Sequence, residues 1–101
     1  MILVDQLREC RAPWPGGVAC HMGTDNGNLD DLHIFARAIG LPRRWFQPSN
    51  HPLRAHYDLS PKWRKAAIAW GAHEIDVREW GRQRLVKIRA ERPARSEPEG
   101  T

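Results

Sequence analysis

The chain has little of what marks a known chemistry. Its two cysteines, Cys10 and Cys20, are too few for a disulfide framework, and their spacing is not that of a zinc knuckle. Both read as reduced, partly buried small hydrophobes. No apolar run nears the roughly 20 residues a membrane span needs, so no membrane partner is expected. Met1-Ile2-Leu3-Val4-Asp5 carries neither a basic leader nor a long apolar stretch, and the expectation is a cytoplasmic protein without a signal peptide. A Gly-rich phosphate loop, HExxH, a nucleophile elbow and a CxxC pair are all missing. Those are the motifs that remain legible in a single sequence, and their absence leaves open whether the chain is an enzyme.

What is present fits one small domain. The 101 residues are 41% apolar and 28% charged, enough for a single core over residues 1–92. Residues 93–101, rich in Ser, Pro, Glu and Gly, are expected to be a disordered tail. The net charge of +4 is uneven: residues 1–58 hold six basic and six acidic side chains, residues 59–101 ten and six. A basic surface attracts phosphates, as nucleotides or as nucleic acid, and it also serves as a plain solubilising face.

Local signals outline an α/β chain. Ile2-Leu3-Val4 and Val18-Ala19-Cys20-His21-Met22 read as strands, the second stopped by Gly23, with a Pro- and Gly-rich loop around Trp14 between them. Asn28 caps a first helix whose apolar residues Leu29, Leu32, Phe35, Ala36 and Ile39 recur at helical spacing until Gly40 and Pro42 end it. Arg43 to Gln47 is a possible short strand, and His56-Tyr57-Asp58-Leu59 leads into a second helix. Ser60 caps that helix, Pro61 opens it, Trp63, Ala66, Ala67 and Trp70 form its buried stripe, and Gly71 closes it. Ala72 to Asp76 alternates like a half-exposed strand, and Asp76 with Glu79 makes a capping box for a third, Arg-rich helix in which Trp80, Leu85 and Ile88 can pack. The expected fold is a small single-domain sandwich with a short, partly parallel sheet and about three helices. Trp45, Trp63, Trp70 and Trp80 are expected in the core rather than as stacking platforms, whereas Trp14, in a Pro-Gly loop, is open to either role.

Candidate chemistry lies in polar residues at the ends of apolar elements, where α/β folds place ligands when the strands run parallel. Asp5 follows the first strand, His21 and Asp25 flank the end of the second, His33 lies in the first turns of the first helix, and His56-Tyr57-Asp58 precedes the second helix. Three roles suit such a group. His21, His33, His56 and Asp58 have the nitrogen and oxygen donors that bind a divalent metal. His33, His56 and Asp58 are candidate catalytic acid–base residues. His21, Asp25, His33, His56, Tyr57 and Asp58, with Arg82, Arg84 and Arg89 of the third helix, are candidate binding residues for a phosphate-bearing ligand. Beside each stands a structural reading: His56 and Asp58 as a bracket on loose backbone amides, His33 as a hydrogen-bonded core histidine, His51 and His73 as locally bonded or solvent-facing.

The ordered blocks Ile2-Leu3-Val4-Asp5, Cys20-His21-Met22-Gly23-Thr24-Asp25, Asp31-Leu32-His33-Ile34-Phe35-Ala36, Ile39-Gly40-Leu41-Pro42, Trp45-Phe46-Gln47, His56-Tyr57-Asp58-Leu59 and Gly71-Ala72 resemble a family of small bacterial and phage proteins, the domain of unknown function numbered four thousand and thirty-one. The resemblance runs from residue 2 to about residue 80. The loop from Asp5 to Val18 departs from the family's shorter Pro-Trp-Pro segment, so nothing carries over there. It implies no activity, but it places His21, Asp25, His33, His56, Tyr57 and Asp58 at the polar positions of the family's motifs, and it makes a phage or mobile-element accessory role conceivable. Three functions are therefore expected to compete: a basic module binding a nucleotide or nucleic acid at the His/Asp cluster, a metal-dependent or acid–base phosphoester hydrolase at the same cluster, and an accessory protein that engages a host protein through the charged helix or Trp14.

Overall fold

The computed structural model describes residues 1–12 and 14–91; the expected tail lies outside the described residues. Six short strands form the sheet: β1 (Ile2–Val4), β2 (Arg8–Glu9), β3 (Val18–Thr24), β4 (Phe46–Gln47), β5 (His56–Leu59) and β6 (His73–Glu74). Three helices join them: α1 (Leu29–Ala38), α2 (Pro61–Ala69) and α3 (Val77–Glu91). The spatial order is β4-β5-β3-β1-β6, with β2 pairing the start of β3. Among the described residues only β1 with β6 is parallel; the other pairs are antiparallel. The fold is thus α/β with a partly parallel sheet, as expected.

Most helix signals act locally as read. The Asn28 side chain accepts the Asp31 N–H at 3.1 Å, and Ser60 accepts the Trp63 N–H at 3.4 Å. Both helices end in a Schellman arrangement, with Leu41 N–H on the Ala36 carbonyl and Ala72 N–H on the Ala67 carbonyl after Gly40 and Gly71. Asp76 caps α3 by accepting from the Arg78 and Glu79 amides. The capping box is half formed, because the Glu79 carboxylate turns forward to Arg82 and Gln83 instead of back to Asp76.

Other expectations are corrected. His56–Leu59 is a strand, not a lead-in to α2, because β3 and β4 pair with it on both sides. Arg43–Trp45 forms a 3-10 turn, leaving only Phe46–Gln47 as strand, and the loop after Asp5 contains β2. Gly23 does not stop β3. It continues the strand, paired with Leu3, and glycine is needed there because a Cβ would stand 2.8 Å from Cζ2 of Trp80. Trp70 is exposed: it sits at the C-cap, past the face on which Ala67 is buried, and Ile68 takes the place in the packing assigned to it. Leu85 is exposed too, since Trp80 is the buried anchor of α3.

Side-chain alternation gives the sheet two unlike faces. Val4, Cys20, Met22, Tyr57 and Leu59 point toward α1 and α2 and form the main core with Leu32, Ala36, Leu41, Ala67 and Ala72. On the other face Trp80 covers Gly23, and Leu3, Leu53 and Ala55 are also buried. Beyond them that face is polar, carrying His21, His56 and Asp58.

Candidate functional site

The site begins with an interruption in the sheet. β1 pairs β3 as far as Val4 opposite Met22, and pairing resumes in β2 with Arg8 opposite Ala19. Between them Asp5 faces His21. The Asp5 N–H donates to the His21 carbonyl at 3.2 Å, and the His21 N–H donates to Asp5 Oδ1 at 2.6 Å. Asp5 is fully buried, and a buried carboxylate is tolerated only when its oxygens are supplied with donors. Oδ2 lies 2.9 Å from His21 Nδ1 and 3.6 Å from the Arg8 guanidinium.

Those partners assign the His21 tautomer. Arg8 also comes within 3.0 Å of Nδ1, but a guanidinium can only donate and an ionised carboxylate can only accept. The arrangement that satisfies the buried carboxylate has the proton on Nδ1, donated to Asp5, with the Arg8 guanidinium beside the same carboxylate as an ion-pair partner at 3.6 Å. The lone pair of neutral His21 is then on Nε2. His56 reaches the same state by another route, since its Nδ1 sits 2.9 Å from the Arg54 carbonyl, which can only accept. Its lone pair is also on Nε2.

Both Nε2 atoms converge on Asp58. In the β3–β5 ladder His21 lies opposite Asp58, and His56 is two residues along the same strand on the same face. Asp58 Oδ1 is 3.4 Å from His56 Nε2 and 3.9 Å from His21 Nε2. The two imidazoles meet edge to face, with centroids 4.6 Å apart. The three donor atoms all lie within 4.8 Å of one another. Bond lengths of about 2.0–2.2 Å to a tetrahedral ion place ligand atoms roughly 3.3 Å apart, so small side-chain rotations close the set around a divalent cation. The side chains remain 36% (His21), 27% (His56) and 41% (Asp58) exposed, so solutes reach them. A cleft of about 370 Å³ opens over His21 and Asp58, walled by Arg8, Glu9, Cys10, Arg11 and Trp14.

The other candidates lie elsewhere. Tyr57 points through the sheet to the opposite face, because it alternates with His56 and Asp58. There its hydroxyl lies 2.8 Å from Nδ1 of His33, which α1 holds edge-on to Phe46. His33 is therefore neither a ligand nor a catalytic partner of His21, and burial, aided by Arg43, pushes its pKa down. This is the core-histidine reading. Asp25 receives the Met1 amino group at 3.0 Å, and its carbonyl accepts from Lys87. Of the α3 arginines, Arg82 pairs with Glu79 and Arg84 stacks on Trp80 at 4.7 Å, while Arg89 stands in the last turn. None of the three borders the cleft over His21, which is served by Arg8 and Arg11. Sequence reasoning missed those two, and left Asp5 without a role; the signal available was a carboxylate after a strand with an arginine three residues on. His51 accepts locally from the Leu53 amide and also pairs, 40 residues away, with Glu91 of α3, and His73 is exposed in β6.

Comparison with known families agrees with the motif blocks. A family model described as a protein of unknown function, DUF4031, matches residues 2–87. The chain belongs to that family. The match reaches beyond residue 80 and takes in most of α3, so the third helix is part of the family's domain. No curated protein and no solved structure gives a significant match. Among the described residues no helix is long and apolar enough to cross a membrane.

Proposed function

We propose that this DUF4031 protein binds a phosphate-bearing ligand, a nucleotide or nucleic acid, through a divalent metal ion held by His21, His56 and Asp58. One observation carries the reading: each imidazole has its Nδ1 2.9 Å from an acceptor, Asp5 Oδ2 or the Arg54 carbonyl, which leaves Nε2 of both rings for the side of Asp58. A carboxylate behind a histidine fixes its tautomer and strengthens it as a ligand, and Asp5 stands in that relation to His21. Two imidazoles and one carboxylate suit zinc, manganese or iron(II). Three protein ligands leave a coordination position for a phosphate oxygen, and Arg8 and Arg11 in the same cleft supply charge-assisted hydrogen bonds to the others.

The open position also favours a second reading, phosphoester hydrolysis. A bound metal lowers the pKa of its water toward neutrality and polarises the phosphoryl group. Without metal, the His21–Asp58–His56 set retains acid–base capacity.

Titration calorimetry with Zn²⁺ and Mn²⁺ tests the metal. One equivalent is expected to bind, and His21→Ala, His56→Ala and Asp58→Asn are each expected to weaken it by at least tenfold. Fluorescence anisotropy with labelled nucleotides and oligonucleotides, with and without the bound ion, tests the ligand, and a phosphoester panel tests hydrolysis. Metal binding that survives all three substitutions, or phosphate binding indifferent to the ion, sinks the proposal.

A further inference from the structure

Asp58 borders a second cleft, of about 420 Å³, whose walls are the rings of Trp14, Trp45 and Trp63 with Arg44, Gln47 and Ser60 among them. Trp14 and Asp58 line both this cleft and the one over His21, so the two adjoin. The three indoles form one surface: Trp14 and Trp45 have centroids 6.2 Å apart at 39°, and Trp45 and Trp63 are 6.2 Å apart at 87°. Trp45 and Trp63 rest partly on the main core, which makes them rigid. The Trp14 N–H is spent on the Val18 carbonyl at 2.8 Å, which fixes that ring from a loop.

Polar groups at the rim continue the same row. Gln47 is the β4 partner of His56 across the sheet, so its amide is on the side of the metal ligands. Among the described residues, no hydrogen bond or ion pair engages the side chains of Arg44 or Gln47. An amide offers a donor and an acceptor together, the complement of a base edge. An angled aromatic cleft with a few polar groups, beside a phosphate-binding centre, matches the two ends of a nucleotide.

We infer that the Trp14–Trp45–Trp63 cleft takes the nucleobase of a nucleotide whose phosphate lies on the His21/His56/Asp58 centre. This deepens the function proposed above and rests on it. It narrows the ligand from any phosphate to a base-bearing one. Stacking on tryptophan supplies the attraction, Gln47 addresses the base edge, and Arg44 stacks or pairs at the rim.

The test uses the metal-loaded full chain at low ionic strength, with calorimetry and tryptophan fluorescence. The probes are nucleoside monophosphates, ribose 5-phosphate, inorganic phosphate and a short single-stranded oligonucleotide. Nucleoside monophosphates are expected to bind at least tenfold more tightly than ribose 5-phosphate and to quench fluorescence. Trp14→Ala is expected to reduce that preference by about 5- to 150-fold, up to its complete loss, whereas Trp14→Phe keeps most of it. Zn²⁺ affinity, measured alone, stays unchanged in both variants. Tighter binding of the oligonucleotide than of the monophosphates assigns the base to a nucleic-acid strand, and the reverse assigns it to a free nucleotide. Equal affinity for nucleoside monophosphate and ribose 5-phosphate overturns the base site while leaving the metal site standing. A base preference that Trp14→Ala leaves intact overturns it as well, and so assigns the aromatic cleft to another occupant, such as an aromatic side chain of a protein.

Discussion

Replacing Asp5 with asparagine isolates what the buried carboxylate does for the site. The new side chain has nearly the same shape, and its oxygen can still accept the His21 N–H that now donates to Oδ1 at 2.6 Å. Its NH₂ group then faces Nδ1, where a carboxylate oxygen stood at 2.9 Å. A donor there requires Nδ1 to accept, so the ring proton moves to Nε2 and blocks the lone pair aimed at Asp58. Turning the amide over is no escape, because its NH₂ would then oppose the His21 N–H and leave a buried donor unsatisfied, at a cost of about 1–3 kcal/mol. Metal binding must therefore reverse an unfavourable tautomer. Substitutions behind a metal-bound histidine lower affinity by about 10- to 100-fold, equivalent to about 1.4–2.7 kcal/mol. Chelator competition with Zn²⁺ measures the loss, and circular dichroism confirms that Asp5→Asn folds. Zinc affinity within twofold of the unchanged protein, in a folded variant, refutes the tautomer argument.

Three further predictions concern the scaffold. Gly23→Ala puts a methyl 2.8 Å from Cζ2 and 3.0 Å from Cη2 of Trp80, and overpacking of this kind costs about 1–3 kcal/mol in urea unfolding. Those two atoms are absent from phenylalanine, so Gly23→Ala combined with Trp80→Phe should lose less stability than the sum of the single changes; strict additivity would refute the contact. His33 has its pKa pushed below 6.5 by burial and by Arg43, so the unfolded chain takes up its proton first on acidification. Its contribution to stability is complete above pH 6.5 and is lost as pH falls toward the lowered folded value, and a His33→Gln variant should show a smaller acid-induced drop in Tm through that window. Burial, reinforced by Asp5, pushes the Cys20 thiol up to about 12, whereas Cys10 is exposed on the cleft over His21. Iodoacetamide on the native protein should therefore label Cys10 and leave Cys20 unmodified until the chain unfolds, as read by mass spectrometry.

The features legible in the sequence are those whose cause is local. Asn28 and Ser60 cap their helices through bonds to residues three positions on, and Gly40 and Gly71 close them within the next turn. Ile2–Val4 reads as a strand because its own side chains demand burial. β5 carries a weaker one, the alternation of Tyr57 and Leu59 with polar residues over only four positions, next to a strong helix start. Two of its four residues, His56 and Asp58, are polar and face the site, and its strand character comes from partners 35 and more residues away in β3 and from β4. The long arginine-rich helix stands out by composition, whereas Arg8 and Arg11, which border the site, are in a stretch that reads as loop and of which only Arg8–Glu9 pairs with β3.

The site itself depends on register more than on composition. Its residues stand out in the sequence as polar positions, but the expected gathering at the ends of parallel strands is not what joins them. Cys20 pairs with Leu59, and this alone sets His21 against Asp58. A slip of one residue in that ladder would bring His21 opposite Tyr57 or Leu59, and would expose the apolar set on β5. The main core forbids it, because Met22, Tyr57 and Leu59 are almost fully buried on the opposite face. The same constraint that packs α1 and α2 onto the sheet therefore fixes the spacing of the imidazoles and the carboxylate. A core substitution that loosens β5, such as Leu59→Ala, should weaken metal binding without touching a ligand, in contrast to an equally destabilising change at Leu53.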